Sequence, residues 1–530
     1  MTQLTGLGRL VRLILRRDRI RLWSWLLGLG VVIVASAASL PPVYPDQASI
    51  DAYAATVGDN PALMAFAGPG YGLRDDPTIG AILVNEVQLW GAIGFALMSI
   101  FLVNHHTRAE EDVERADLIR SAVVGRHAPT AAAVVVVGAA NLTLGLVCAA
   151  GFVATGYETT GSIVLAASFV AVGLVFLGVT AVTAQVASSG RAALGMAASV
   201  LATTFALRAL GDVSGNWMRW ASPIGWAQAS RAFAGERWLP LVLCVVAAAV
   251  GVVSAFWLST RRDLGSGLVP TKPGPGRASP RLTDPLGLAV WLHRGSLIGW
   301  AIGLFVAGAL YGSIGDDIEQ MLEDNPVYQD ILVQTGGADL TDSFFASSLL
   351  MLSLVVSGFA IATVSRLRSE ESAGRAEVVL ASGVSRSRWA ASHLLVAFAG
   401  AAAGMVLSGF GLGLSYAAVS GDSRQIGRLV FASLAPLPAV AALIGVAMLL
   451  YGRASAAVVA SWAVLAVVSV IALLAEVLRL PSWLRQISPF AHVSQVPAEA
   501  ISWPPAIGMV AVAGALVAAG VAALHHRDMG

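Results

Sequence analysis

Two stretches of this chain gather acids and arginines closely enough to do chemistry: Arg108, Glu110, Glu111, Arg115 and Arg126, then Arg368, Glu370, Glu371, Gly374, Arg375 and Arg386. Glu111 and Arg115 are four residues apart, as are Glu371 and Arg375, the spacing at which opposite charges meet on one helical face. Acids come first and bases later, which suits the dipole of a helix, and Ala116, Ile119 and Val123 fall on another face. The pattern predicts a short amphipathic helix whose ion pairs form a docking surface for another protein. Membrane topology by itself asks for arginines here but not for the glutamates beside them. No set of nucleophile, base and oxyanion donors can be assembled from the sequence, so a catalytic reading has no residues to name.

The other candidates are scattered. Asn85, Gln88 and Asn141 lie within apolar stretches, where they either line a substrate path or bond helix to helix. Trp217 and Pro223 in one loop face Trp483 and Pro489 in another, and anchoring at the head-group level explains the tryptophans most simply. His105-His106 and His525-His526 could hold a metal, but at the edges of apolar stretches snorkelling accounts for them. Cys148 and Cys244 have no ligand spacing around them and read as packing residues. A phosphate-binding loop needs Gly-x-x-x-x-Gly-Lys and then Ser or Thr, yet the one lysine of the chain stands in Pro270-Thr271-Lys272-Pro273. ATP is therefore not bound by this chain in that way, and no cofactor, metal or nucleic acid is expected on it.

The elements that must position these residues follow from composition. With 56% hydrophobic and 12% charged residues over 530 positions, the expected solvent is lipid. A helix needs roughly 20 apolar residues to cross the hydrocarbon layer. Twelve such stretches are predicted, at 22–40, 82–103, 131–153, 163–186, 192–210 and 239–258, then at 296–313, 346–365, 389–412, 429–451, 455–475 and 505–524. Most arginines fall on the side of the chain termini and most acids on the other, which places both termini in the cytoplasm. The first stretch ends in Ala35-Ser36-Ala37, like a cleaved signal, but its counterpart at 296–313 is mid-chain and cannot be one. Leu7 to Arg21 puts Arg9, Arg12, Arg16 and Arg19 on one face and Leu7, Leu10, Val11 and Ile14 on the other, the pattern of an interfacial helix.

Short matches at an offset of 260 to 275 residues lay one half of the chain over the other. Arg19, Leu22, Trp25 and Gly28 match Arg294, Leu297, Trp300 and Gly303, and Asp59-Asn60-Pro61 matches Asp324-Asn325-Pro326. Glu110-Glu111 and Arg126 match Glu370-Glu371 and Arg386, and Gly190-Arg191-Ala192 matches Gly452-Arg453-Ala454. Trp217 and Ser222-Pro223 match Trp483 and Ser488-Pro489, and each half closes alike, on Arg262-Asp263 and Arg527-Asp528. Residues 1–264 and 286–530 are thus read as two six-helix halves in one orientation, with 265–285, rich in Gly, Pro and Ser, as a flexible cytoplasmic linker.

Residues 368–386 resemble the coupling loop of the permease subunits of type-2 ATP-binding-cassette exporters, through Arg368, Glu370, Glu371, Gly374, Arg375, Ala376, Glu377, Val384 and Arg386. The first copy departs from that pattern with Glu114 for the glycine and Asp117 for the third glutamate, which sets the two sites apart. The double-length form, with its Arg-Asp endings and Ser-Pro elements, is similar to actinobacterial permeases associated with polyketide-antibiotic and multidrug export. The resemblance implies two copies of a separate ATPase, carrying ATP and Mg, docked at residues 105–127 and 365–387. It also implies export of hydrophobic or amphipathic compounds across the bacterial plasma membrane by alternating access, and short re-entrant helices that make an outer gate of Trp217, Pro223, Trp483 and Pro489. The rivals are a twelve-helix ion-coupled transporter and a non-transporting scaffold or sensor. Ionisable residues within the stretches are few and lie near the ends, at Glu86, Arg208 and His393, which weakens the ion-coupled rival.

Overall fold

A computed structural model describes residues 3–57, 61–112, 124–262, 266–269, 276–277, 279–313, 340–474 and 481–528. The described residues are helical, turn or loop, with no strand among them, and twelve helices are long and apolar enough to cross a membrane. In lipid this follows from the backbone, whose polar groups a helix satisfies within itself. The chain divides into two compact units, Met1–Gly274 and Pro275–Gly530.

Unit 1 runs through α1 (Leu7–Arg17), α2 (Arg19–Val43), α3 (Gln47–Val57), α4 (Pro61–Ala67), α5 (Ile79–His106), α6 (Arg108–Asp112), α7 (Ala128–Ala154), α8 (Thr159–Val186), α9 (Gly190–Val213), α10 (Pro223–Gln228) and α11 (Leu239–Ser259). Side chains at the first turns set several of these starts. Thr78 accepts from the Ala81 N–H at the head of α5, Glu158 from Thr160 and Gly161 at the head of α8, and Ser189 from Ala192 at the head of α9. The interfacial helix expected over 7–21 is α1, but it stops at Arg17, because Asp18 leaves helical geometry and Arg19 begins the first span. Leu10 is buried against Ala128 and Ala132 while Arg9, Arg12 and Arg16 are exposed, the two faces that the spacing predicts.

The core of unit 1 lies along α5 and α8, where Phe95, Phe152 and Phe169 interlock with ring centroids 5.5 and 6.4 Å apart. Taken by itself, the unit leaves apolar faces exposed on its outer helices: Trp23, Leu27 and Val31 on α2, and Val242, Val246 and Val250 on α11. Such faces would be costly in water and are at home against lipid chains.

Unit 2 contains α12 (Pro285–Ser313), α13 (Leu340–Ser372), α14 (Arg375–Ala381), α15 (Arg386–Ser420), α16 (Arg424–Ser433), α17 (Leu437–Arg453), α18 (Ala460–Leu474), α19 (Ser482–Arg485) and α20 (Trp503–His526). Its seventh span begins at Pro285, well before the residue 296 suggested by hydropathy, because the amphipathic turn that precedes it runs straight into the apolar helix. The tenth span is α16 followed by α17, separated at Leu434–Pro436. Small residues bring α12 and α15 close: a Cβ on Gly308 would stand 2.0 Å from the Ser408 carbonyl oxygen, and one on Gly411 2.2 Å from that of Phe305. Gly400 and Gly404, read as packing residues, indeed pack, against Phe359 and Leu304.

The segment 265–285, expected to be a flexible linker, is held in part. The N–H groups of Leu268 and Val269 donate to the carbonyls of Gln185 and Val186 at the end of α8, at 3.2 and 3.1 Å. Gly267 allows that approach, since a Cβ there would lie 2.5 Å from Ala187.

Candidate functional site

The repeated acids and arginines lie on the face of each unit where α1 and α12 begin, and there they are largely turned inward. In unit 1, α5 ends because Thr107 takes φ −121° and ψ −93°, which turns the chain into the short α6. Glu111 then meets the Arg262 guanidinium, with Nη1 and Nη2 donating at 2.8 and 2.6 Å, a two-pronged charged pair. Arg108, its side chain only 1% exposed, donates to the same carboxylate at 2.7 Å and to the carbonyls of Ser188 and Ser266 at 2.7 and 3.0 Å. Arg262 Nε reaches Gln185 at 2.7 Å, and Asp112 accepts the Gly190 N–H at 2.6 Å. Glu110 is taken by Arg17, at 2.7 and 3.3 Å. Arg126 donates to the carbonyls of Ser259 and Arg262, at 2.8 and 3.3 Å, and so caps the end of α11.

In unit 2, Glu371 accepts from Arg527 Nη2 at 2.7 and 2.9 Å and from the Tyr451 hydroxyl at 2.6 Å, with the Arg527 guanidinium 4.9 Å above the Tyr451 ring. Arg386 donates to the carbonyls of Leu524, His525 and Arg527, at 3.4, 3.3 and 2.7 Å, and so caps α20. Glu370, buried, accepts from Arg375 Nε at 2.7 Å and Arg366 Nε at 3.2 Å. The residues that meet in one unit are those that the sequence lays opposite the meeting residues of the other: Glu111, Arg262 and Arg126 against Glu371, Arg527 and Arg386.

The pairing of Glu371 with Arg375 does not form. Gly374 adopts a left-handed conformation, φ 68°, between the end of α13 at Ser372 and the start of α14 at Arg375. Four-residue spacing holds only along a continuous helix, and across this break Arg375 turns back to Glu370 instead. That hydrogen bond pushes the Arg375 guanidinium above its usual range. Arg115, with Glu114, Ala116, Asp117, Ile119 and Val123, lies outside the described residues. Arg368 is half-buried and makes no ion pair with a described residue.

What this face presents outward is α14. Ala376 is buried beneath it, while Arg375, Glu377 and Val378 are exposed, Val378 at 74%. It is an apolar side chain left open on a short helix beside the exposed charges of Arg375 and Glu377. Sequence reasoning passed over Val378 because a lone valine in a charged loop has no pattern to mark it.

Asn85, Gln88 and Asn141 are buried and bonded between helices. Tyr53 donates to Asn85 Oδ1 at 2.9 Å, Gln88 donates to Ser168 and the Ala227 carbonyl at 3.1 and 3.2 Å, and Asn141 donates to Ser99 at 2.9 Å. Asn85 and Gln88 share one small pocket beside Gly68 and Gly70, and Asn141 is not part of it. On the opposite face of the units, Trp217 is 72% and Trp483 65% exposed, each at the start of a short helical turn. Pro223 is buried at the head of α10, and Pro489 opens a turn of 3-10 helix over Pro489–His492.

The same face holds a feature that sequence reading only touched through Arg208. That arginine, fully buried in α9, donates to the carbonyls of Ala65 and Met64 at 2.8 and 3.4 Å and pairs with Asp212 at 3.5 Å. Gln228 donates to the Ala67 carbonyl at 2.8 Å. Together they hold the carbonyl end of α4, where a helix is partly negative. The signal was an arginine inside an apolar stretch, a position kept only where a partner is at hand.

Comparison with known proteins agrees with this architecture. Residues 282–525 match the model of the multidrug efflux system permease Rv1217c, C-terminal domain. Over 528 residues, 99% of this chain and 95% of the relative, the chain is 38% identical to the multidrug efflux system permease protein Rv1217c of Mycobacterium tuberculosis (strain ATCC 25618 / H37Rv). This multi-pass membrane protein therefore belongs to the multidrug efflux system permease family, as a permease subunit of the ATP-binding-cassette exporter type.

Proposed function

We propose that this chain is the transmembrane part of an ATP-driven pump that exports hydrophobic or amphipathic compounds by alternating access. Two copies of a separate ATPase, which carry ATP and Mg, dock one on the α6 face of unit 1 and one on the α14 face of unit 2. Those faces and both termini are cytoplasmic, and residues 1–264 and 286–530 act as two six-helix repeats joined through 265–285 in the bacterial plasma membrane. The short turns at Trp217, Pro223, Trp483 and Pro489 close the outer end of the path.

The observation that carries this reading is the division of labour in the coupling segment. Glu371, Arg386 and Arg527 bind the segment to the ends of its own spans, while Arg375, Glu377 and Val378 are left outward for a partner. A surface held this rigidly can pass a partner's motion to α13 and α20 rather than absorb it. Asn85, Gln88 and Asn141, each already bonded to a neighbouring helix, serve packing in this reading.

The test is transport in proteoliposomes that hold the chain with a co-expressed ATP-binding-cassette ATPase. Export of a fluorescent amphipathic dye should need ATP, survive an uncoupler, and fall at least tenfold in Val378→Asp while the purified variant stays monodisperse. Export by the chain alone that an uncoupler abolishes would show an ion-coupled transporter instead. ATPase binding with no dye export and no dye-stimulated hydrolysis would favour a scaffold.

A further inference from the structure

The cluster that the export reading leaves unused is Asp18, His105 and His106, where α1 hands over to α2 and α5 ends. Three candidate ligand atoms converge here, and all lie within 4.8 Å of one another. His105 Nε2 is 3.6 Å from Asp18 Oδ1, and His106 Nδ1 is 3.6 Å from Oδ2. The two rings meet edge to face, with centroids 5.0 Å apart.

The chemistry at His106 points to something bound. Its side chain is only 1% exposed, and neither ring nitrogen has a hydrogen-bond partner among the described residues. A buried imidazole without a partner is costly, and a ligand on its nitrogen would remove that cost. One of those nitrogens faces the Asp18 carboxylate, and His106 also lines a cavity of approximately 490 Å³. His105, at 28% exposure, has room to turn.

We propose that Asp18, His105 and His106 form a binding site for a divalent transition-metal ion of the zinc class. Two imidazoles and one carboxylate suit zinc, cobalt or nickel rather than magnesium or calcium, which prefer oxygen throughout. Around zinc, ligand atoms at about 2.0–2.2 Å from the metal stand roughly 3.4 Å apart, so the separation of His105 Nε2 from Asp18 Oδ1 is near its bound value, and all three ligand atoms lie within 4.8 Å of one another. The remaining closure, between the two imidazoles, falls to the half-buried His105.

The surrounding charges set which carboxylate oxygen is available. Arg17 donates to Asp18 Oδ2 at 3.0 and 3.2 Å, whereas Oδ1 faces His105 and, at 3.9 Å, Arg21. Oδ1 is therefore the ligand atom, and Arg21 is the cation that the metal displaces. Glu110, joined to Arg17 at 2.7 Å, brings a second negative charge nearby. Bound there, the metal ties the α1–α2 turn to the last two residues of α5.

Among the described residues, unit 2 has no equivalent. Where the sequences correspond, His293 replaces Asp18, and Ser365 and Arg366 replace the two histidines. There His293 is already bonded to His393 at 3.1 Å. The metal would thus act on one coupling segment of the two. Its binding can be measured without transport, so failure of this proposal and failure of the export reading are distinguishable.

The experiment uses the full chain without an affinity tag, stripped with chelator and titrated with Co²⁺ alone, followed by Zn²⁺ competition. One Co²⁺ per chain should bind, with the intense visible bands of a low-coordinate site. His106→Gln and Asp18→Asn should each weaken binding at least tenfold, and the paired substitution His525→Gln, His526→Gln should leave it unchanged. Asp18→His, which makes a three-histidine set, should retain the bands, and this guards against a variant that simply fails to fold. No stoichiometric Co²⁺ binding, or binding that His106→Gln leaves intact in a monodisperse protein, would overturn the proposal.

Discussion

Removing Arg527 should loosen unit 2 more than removing Arg262 loosens unit 1, although the two arginines hold corresponding glutamates. Each pair is short and mostly shielded: side-chain exposures are 14% and 11% for Arg527 and Glu371, and 7% and 13% for Arg262 and Glu111. Breaking a buried pair on one side costs about 3–5 kcal/mol, because the other charge stays behind. In unit 2, Arg527→Gln leaves Glu371 with one neutral donor, the Tyr451 hydroxyl at 2.6 Å, and also removes the cation above the Tyr451 ring. We therefore expect about 3 kcal/mol there. In unit 1, Arg262→Gln leaves Glu111 with the buried charged donor Arg108 at 2.7 Å, so the loss should be about 1–2 kcal/mol, near that of one charged hydrogen bond. Local opening read by hydrogen exchange at 375–381 and 520–528 is the appropriate assay, since whole-protein melting of a membrane protein is often irreversible. A double-mutant cycle on Glu371→Gln and Arg527→Gln isolates the pair and should give about 1.5–3 kcal/mol of coupling. Coupling under about 0.5 kcal/mol, or equal losses in the two units, would refute the account.

Further tests are simpler. Gly308→Ala should lower thermal stability by about 1–3 kcal/mol, since its new methyl meets the Ser408 carbonyl, whereas Gly303→Ala, with nothing within 4 Å, should be neutral or stabilising; melting temperatures in detergent compare them. Arg208→Met should release α4, seen as faster hydrogen exchange or proteolysis at 61–67 with the spans unaffected. At Glu158, hydrogen bonds from the Gly161 and Thr160 N–H groups hold the carboxyl below its ordinary range. Its contribution is thus present at neutral pH and lost as pH falls through the lowered value. Melting temperature between neutral pH and about pH 3 should fall less steeply in Glu158→Gln than in the parent chain.

The twelve spans were legible because a lipid-crossing helix is long and apolar, and one residue type more or less does not hide it. Their first and last residues were not, since the α1–α2 break hangs on the backbone at Asp18 while the equivalent region of α12 runs straight on. The short helices α3 and α4 escaped because seven or eleven residues in a polar loop carry too little periodicity to stand out. At the site, the residue types were legible and their partners were not. Spacing rules see neighbours within a turn or two of helix, but Glu111 finds Arg262 151 positions away and Glu371 finds Arg527 156 positions away.

That distance changes what the repetition means. Finding glutamates and arginines retained in both halves suggested a surface kept for a partner, and the Arg-Asp endings were read only as a further match between the halves and a mark of the resemblance. In the structure the two repeats are ends of one bond, so each glutamate explains the arginine that closes its half. Repetition alone cannot separate a docking residue from an internal clamp, because either must be kept in both copies. Exposure can: Glu371 and Arg527 are mostly covered, while Arg375 at 55% and Val378 at 74% are open. Substitution of Glu371 should therefore weaken coupling by loosening the segment, with changed exchange at 520–528 before any ATPase is added. Substitution of Val378 should weaken it only once the ATPase is present. The order in which those two effects appear separates the clamp from the surface it holds.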